Sequence, residues 1–184
     1  YRAIDTDGNC SQEATVIIRI QKQKTKTTYS DMDGRAEAYA AVVLAENGIF
    51  IGEKLAGSYV FRPDEPVTRG EFLAMCMGLT GAELLADASS TGFADDADID
   101  AYLKPYVSTA LLNGVIDGYI SEDSAAVFRP DGKITAAEAA VMLNRALGLT
   151  DAVSVWAQSD PAAPAWAAQS LDNLAACRML PPGL

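Results

Sequence analysis

The chain contains no histidine. That single absence removes His-based catalytic triads, imidazole metal ligands and an imidazole pH switch. Basic residues are scarce: 14 Lys and Arg stand against 25 Asp and Glu, for a formal net charge of -11. Broad binding to nucleic acid or to an anionic lipid surface is excluded, and an anionic partner must be met locally. Cys10, Cys76 and Cys177 are an odd number with no close pair, so neither a disulfide framework nor a zinc knuckle is indicated. We read Cys76 and Cys177 as small buried apolar residues in helices. No apolar run approaches the roughly 18 residues of a membrane span, and no signal peptide opens the chain. Because the sequence starts at Tyr1, in a strand-like pattern, we expect a fragment of a longer protein, and the missing leader says nothing about export.

What is present suits one or two globular domains: 184 residues, 49% of them hydrophobic, can bury a core without staples. Residues 1–20 alternate like two strands around Asp5-Thr6-Asp7-Gly8-Asn9, with Val16, Ile18 and Ile20 on one side of the second. Two strands are marginal alone, so we expect the closing hairpin of a truncated β-sandwich, similar to immunoglobulin-like or fibronectin-like modules. Asp5, Asp7 and Asn9 have EF-hand spacing, but Cys10 stands where glycine is needed and Val16 where the bidentate Glu belongs. An ordinary Asp-Gly turn is the better reading, and no metal or cofactor is expected. Residues 21–28 are polar and basic, with nothing to bury, and read as a linker.

Beyond the linker the chain repeats itself. Phe61-Arg62-Pro63-Asp64 returns as Phe128-Arg129-Pro130-Asp131, Asn47-Gly48 as Asn113-Gly114, and Tyr29-Ser30-Asp31 as Phe93-Ala94-Asp95. A third start follows at Ser159-Asp160 and Trp166-Ala167. We divide the chain into units at 29–81, 82–150 and a truncated 151–184. Each reads as helix, turn, loop, helix. The first helix is expected over 36–47, with Ala41 and Leu44 matched by Val107 and Ala110, and by Leu171 and Leu174. Gly48 and Gly114 close these helices. Thr68 and Glu71 form a capping box on the second helix, Val67 and Phe72 a staple, and Phe72, Met75, Cys76 and Leu79 its apolar stripe. Thr135 and Glu138 repeat the box.

The order of an aromatic-x-Asp opening, a helix, a Gly-x-x-x-Gly turn, Phe61-Arg62-Pro63 and Val67-Thr68-Arg69-Gly70-Glu71-Phe72 resembles the S-layer homology family. The resemblance implies a mainly α fold of tandem repeats packed about a pseudo-threefold axis. It also implies an extracellular, noncatalytic anchoring module at the bacterial cell surface. Grooves between neighbouring repeats in this family hold a secondary cell wall polysaccharide, often capped by a pyruvate ketal bearing a carboxylate. Arginine of the Thr-Arg motif is the family's anion-binding residue. Ala136 replaces that arginine in the second unit, and the third stops before its own motif. A structural spacer or surface-layer assembly module that has lost glycan binding is therefore the alternative, with self-association through the truncated third unit.

Arg69 is the leading site residue. At the first position of a helix its cation meets the positive end of the dipole, a placement costing about 0.3–1 kcal/mol where exposed. An anion held by free amides, dipole and guanidinium would offset that, and so would an intramolecular pair with Asp31, Asp95 or another acidic neighbour. Thr68 and Glu71 are explained by capping alone, with binding secondary. Asp31, Asp95 and Asp160 precede each first helix, where we expect them to cap or complement its start, a groove role that accepts from sugar hydroxyls or orients Arg69 being the second reading. Gly52 and Gly118 permit positive φ in a turn, and a bare backbone would also admit a sugar. Trp166 is expected in the core between repeats.

Overall fold

The computed structural model of the chain describes residues 4, 6–12, 26–151 and 163–180. The expected second N-terminal strand, most of the linker, Trp156, Ser159-Asp160 and the final Pro-Pro-Gly-Leu lie outside the described residues. Of the N-terminal hairpin, only the Ile4–Cys10 antiparallel bridge falls within them.

Among the described residues the element order is α1 (Ala38–Glu46), β1 (Glu53–Leu55), β2 (Ser58–Val60), α2 (Arg69–Thr80), a 3-10 turn (Asp96–Asp98), α3 (Lys104–Leu112), β3 (Tyr119–Ile120), β4 (Ala126–Val127), α4 (Ala136–Ala146) and α5 (Ala165–Ala176). Five helices and two short antiparallel strand pairs make it mainly α. The two pairs match in register: Glu53 faces Val60 in the first, and Tyr119 faces Val127 in the second.

The helix boundaries follow from local chemistry. Both second helices start on complete capping boxes: Thr68 Oγ1 accepts the Glu71 amide while Glu71 accepts the Thr68 amide, and Thr135 with Glu138 does the same. The first helices end at Asn47 and Asn113, each followed by a glycine at positive φ, Gly48 at 67° and Gly114 at 68°.

Packing links one unit to the next. Helix α2 lies against α3 and α4, and α4 lies against α5. The main core joins Leu73, Cys76 and Met77 of α2 to Val107 and Ala110 of α3, with Phe93, Phe128 and Met142. Full burial of a side chain such as Leu73 or Phe128 contributes roughly 1.5–3 kcal/mol. A smaller cluster gathers Tyr29, Met32, Ala41 and Ala45, with Phe61 edge-on to Tyr29 at 5.4 Å. A third joins Ala140 to Ala167, Leu171 and Leu174.

Several expectations need correction. The α2 stripe is rotated: Leu73, Cys76 and Met77 are buried, whereas Leu79 is half exposed. With α3 and α4 both packed on it, α2 must bury a broader face than one neighbour would require. Cys76 is buried as expected, and burial pushes its thiol up to about 12, but Cys177 is exposed just past the end of α5. Trp166 is 61% exposed rather than in the core, because it sits in the first turn of α5, where Ala167 is the residue turned to α4. The loops expected between helices each contain a hairpin.

Candidate functional site

Asp31 and Asp95 do not cap helix starts. The Asp31 carboxylate accepts the Phe61 amide at 2.9 Å and the Arg62 amide at 2.7 Å, and Asp95 accepts those of Phe128 at 2.8 Å and Arg129 at 2.7 Å. Each ties the opening of its unit to the Phe-Arg-Pro-Asp loop about thirty residues on. The Phe61 amide, followed by that of Arg62, holds the Asp31 carboxyl below its usual value.

Gly52 and Gly118 serve close packing. A Cβ on Gly118, at φ 77°, would lie 2.4 Å from the Phe93 ring and 2.8 Å from the Val127 carbonyl oxygen. On Gly52, at φ 75°, it would lie 2.4 Å from the Val60 carbonyl oxygen and 3.2 Å from the Tyr29 ring. The turn glycine of each unit thus lets its hairpin seat against the opening aromatic.

Arg69 leaves its own unit altogether. Its guanidinium carbon lies 4.6 Å from the centre of the Tyr119 ring and 5.4 Å from that of Phe128, and Nη1 donates to the Tyr119 hydroxyl at 3.1 Å. The side chain is buried, with the residue 8% exposed, and Nε has no hydrogen-bond partner. Tyr119 in turn donates its hydroxyl to Glu138 Oε1, while Glu138 Oε2 accepts the Thr135 amide and hydroxyl, each at 2.9 Å. Of the intramolecular anions expected opposite Arg69, the one present is neither Asp31 nor Asp95 but another acidic neighbour. Glu138 answers it, through a phenol. Burial works to raise the Glu138 carboxyl, but the Tyr119 hydroxyl, Thr135 and the Arg69 charge outweigh it and leave it lowered.

The α2 amides are not available to an anion. Arg69 N–H donates to the Gly132 carbonyl at 2.8 Å and Gly70 N–H to the Pro130 carbonyl at 2.9 Å, while the Glu71 amide goes to Thr68 Oγ1. The start of α2 is thereby laced to the turn before α4, with Thr68 bridging Lys133. What remains for a ligand is the guanidinium itself.

That guanidinium lines a cavity of about 360 Å³ in the second unit. Ile116, Gly118, Tyr119 and Glu138 form its walls, and Arg145 and Trp166 also line it. Arg145 Nη1 is held by Asp117 Oδ2 at 2.5 Å. Of the residues expected from sequence, this groove gathers Arg69 and Gly118. Thr68 and Glu71 hold the helix start behind Arg69, Asp95 anchors the adjacent loop, and Asp31 and Gly52 belong to the first unit. Sequence reasoning missed Tyr119, although it directly follows Gly118. It assigned Glu138 to capping alone, and Trp166 to the core.

Residues 28–73 match the S-layer homology domain. The matched stretch runs from before Tyr29 into α2 and contains Asp31, Gly52, Thr68, Arg69 and Glu71. The chain is also similar to a surface-layer 125 kDa protein of Lysinibacillus sphaericus, at 27% identity over 145 residues. That alignment covers 77% of this chain but 12% of the relative. Among the described residues no helix is long and apolar enough to cross a membrane.

Proposed function

We propose that the chain is a noncatalytic cell-surface anchoring module that binds an anionic, pyruvylated-type secondary cell wall polysaccharide. Its carboxylate docks on Arg69 in the groove of the second unit. The observation that carries this reading is the buried Arg69, 8% exposed as a residue, whose guanidinium lines a groove and whose Nε has no hydrogen-bond partner. A buried donor left unpaired costs roughly 1–3 kcal/mol, and an anion entering the groove would recover it. The exposed Trp166 offers an apolar face for a sugar ring beside it. The S-layer homology match and the surface-layer relative support a cell-surface setting. The pseudo-threefold arrangement of units draws support from the recurring contact of a second helix with the next first helix, α2 on α3 and α4 on α5.

Thr68, Glu71 and Asp95 enter this reading as residues that hold Arg69 and its neighbouring loop in place. Asp31 and Gly52 do the same for the first unit, and Gly118 lets the groove wall approach.

Co-sedimentation with purified wall polymer tests the proposal. Wild type pellets and Arg69→Ala stays in solution, with Arg69→Lys between them because an ammonium lacks the guanidinium fork. Equal pelleting of wild type and Arg69→Ala would falsify it. The competing reading is a spacer or assembly module without glycan binding, and the Tyr119–Glu138 pair favours it by answering Arg69 internally. A spacer keeps its self-association unchanged when the polymer is removed.

A further inference from the structure

We infer that Arg129 anchors a second sugar subsite, for an uncharged residue of the same glycan next to the one whose acid group meets Arg69. This subsite rests on the glycan reading of the groove and extends it to a neighbouring cleft with its own sugar chemistry.

A matched pair of arginines points to it. Arg62 and Arg129 hold the same place in the two Phe-Arg-Pro-Asp loops, both in the left-handed region, at φ 57° and 59°. Non-glycine residues seldom adopt that conformation, and such strain collects at ligand clamps. In the first unit the guanidinium is taken up by Glu53 at 2.5 Å and Glu65 at 3.2 Å. In the second unit both carboxylates are replaced. Tyr119 stands where Glu53 does, facing Val127 as Glu53 faces Val60, and Gly132 stands where Glu65 does, three residues after the arginine. Arg129 is left stacked on Tyr119, 4.9 Å from the ring centre, with no ion pair among the described residues. The ring steadies the guanidinium and leaves its N–H donors for a ligand.

The cleft beside it, of about 450 Å³, is lined by Arg129 together with Asp98, Asp131, Val127 and Pro130. A second acid group would be repelled there by Asp98 and Asp131. Sugar hydroxyls are not, since each donates to a carboxylate and accepts from a guanidinium, while Val127 and Pro130 supply apolar surface for ring C–H groups. Asp95, also in the lining, is spent on the Phe128 and Arg129 amides. Tyr119 joins this cleft to the groove of the second unit, because it lines that groove and carries Arg69 at 4.6 Å from the same ring centre. One glycan chain can thus set its acidic sugar on Arg69 and the neutral neighbour on Arg129.

The test is calorimetric titration of the whole chain with two fragments released from purified wall polymer: the acidic monosaccharide, and the disaccharide that carries one uncharged sugar beside it. Wild type should bind the disaccharide roughly tenfold more tightly, the gain from one charged hydrogen-bonded contact. Arg129→Gly removes the side chain at a φ that glycine adopts freely, and should bring the ratio of the two affinities to about one. Gly132→Glu should do the same with Arg129 still present, by restoring the carboxylate that occupies Arg62 in the first unit; a Cβ at that position meets nothing nearer than the Arg129 carbonyl oxygen, at 3.3 Å. Arg69→Ala weakens both fragments, and its failure to do so strikes the glycan reading itself and this subsite with it. A wild-type ratio near one, or a ratio that Arg129→Gly leaves unchanged, overturns the second subsite while Arg69 keeps its role.

Discussion

Arg69 and Tyr119 come from different units, fifty residues apart, and meet twice: guanidinium over ring at 4.6 Å, and Nη1 to hydroxyl at 3.1 Å. Arg129 lies against the same ring, 4.9 Å from its centre. The phenol is thus both the platform on which the cation rests and the bridge that carries its charge to Glu138. A single tyrosine holds the groove's cation in place without neutralising it by direct contact.

Tyr119→Phe separates these two roles. The ring and its stacking remain, but Arg69 Nη1 and Glu138 Oε1 each lose a partner in a partly buried place, which costs roughly 1–3 kcal/mol. Urea denaturation of the variant should show a lower midpoint with an unchanged slope. An unaltered midpoint means that water replaces the hydroxyl at no cost and that the bridge has no structural weight.

Glycine replacements distinguish packing from backbone freedom. Gly48 and Gly118 both have positive φ, at 67° and 77°, but a Cβ on Gly48 meets nothing within 4 Å whereas one on Gly118 meets the Phe93 ring at 2.4 Å. Gly48→Ala pays the left-handed strain alone, about 1 kcal/mol. Gly118→Ala adds overpacking and costs about 2 kcal/mol or more. The order of their chemical denaturation midpoints checks this, and equal losses would refute a packing role for Gly118.

Both glycines were visible in sequence as punctuation, and so were the capping boxes, because these devices are local: a side chain or a φ angle serves amides within four residues. Leu171 and Leu174 were placed on a buried face for the same reason, by helical spacing. What escaped was set by distance along the chain. Asp31 satisfies amides thirty residues away, and Arg69 finds its phenol in the next unit; no spacing rule connects such pairs. The hairpins escaped because strands of two or three residues are too short to show a period. Trp166 escapes the core because apolar size alone does not decide burial: its neighbour Ala167 makes the contact with α4.

Acid stability follows from Asp96. Its carboxylate takes the Lys104 ammonium at 2.6 Å, the Thr91 amide at 2.7 Å and the Thr91 hydroxyl at 2.8 Å. Lys104 first, then Thr91, holds its pKa at about 2 against 3.8 unperturbed. A lowered folded-state value means stabilisation that is complete above the unfolded value and lost as pH falls through the folded one. The stability difference between wild type and Asp96→Asn should therefore be constant above about pH 5 and shrink towards about pH 2. A difference that stays constant across that window excludes Asp96 as the source of acid sensitivity.

Glu138→Gln gives the sharpest test of the groove, because stability and affinity should move in opposite directions. Glutamine keeps the capping box with Thr135 through its one oxygen, but it turns an NH2 to the Tyr119 hydroxyl in place of the accepting Oε1 and removes the negative charge that now draws on Arg69. The fold loses a charged hydrogen bond, so the denaturation midpoint falls. An incoming carboxylate no longer competes with Glu138, so its attraction to Arg69 rises by about 1 kcal/mol, or roughly fivefold in affinity. Titration of purified wall polymer into both proteins reads the difference directly. Weaker binding by Glu138→Gln would mean that Glu138 itself contacts the ligand, as an acceptor for sugar hydroxyls, and that Arg69 is not the seat of recognition.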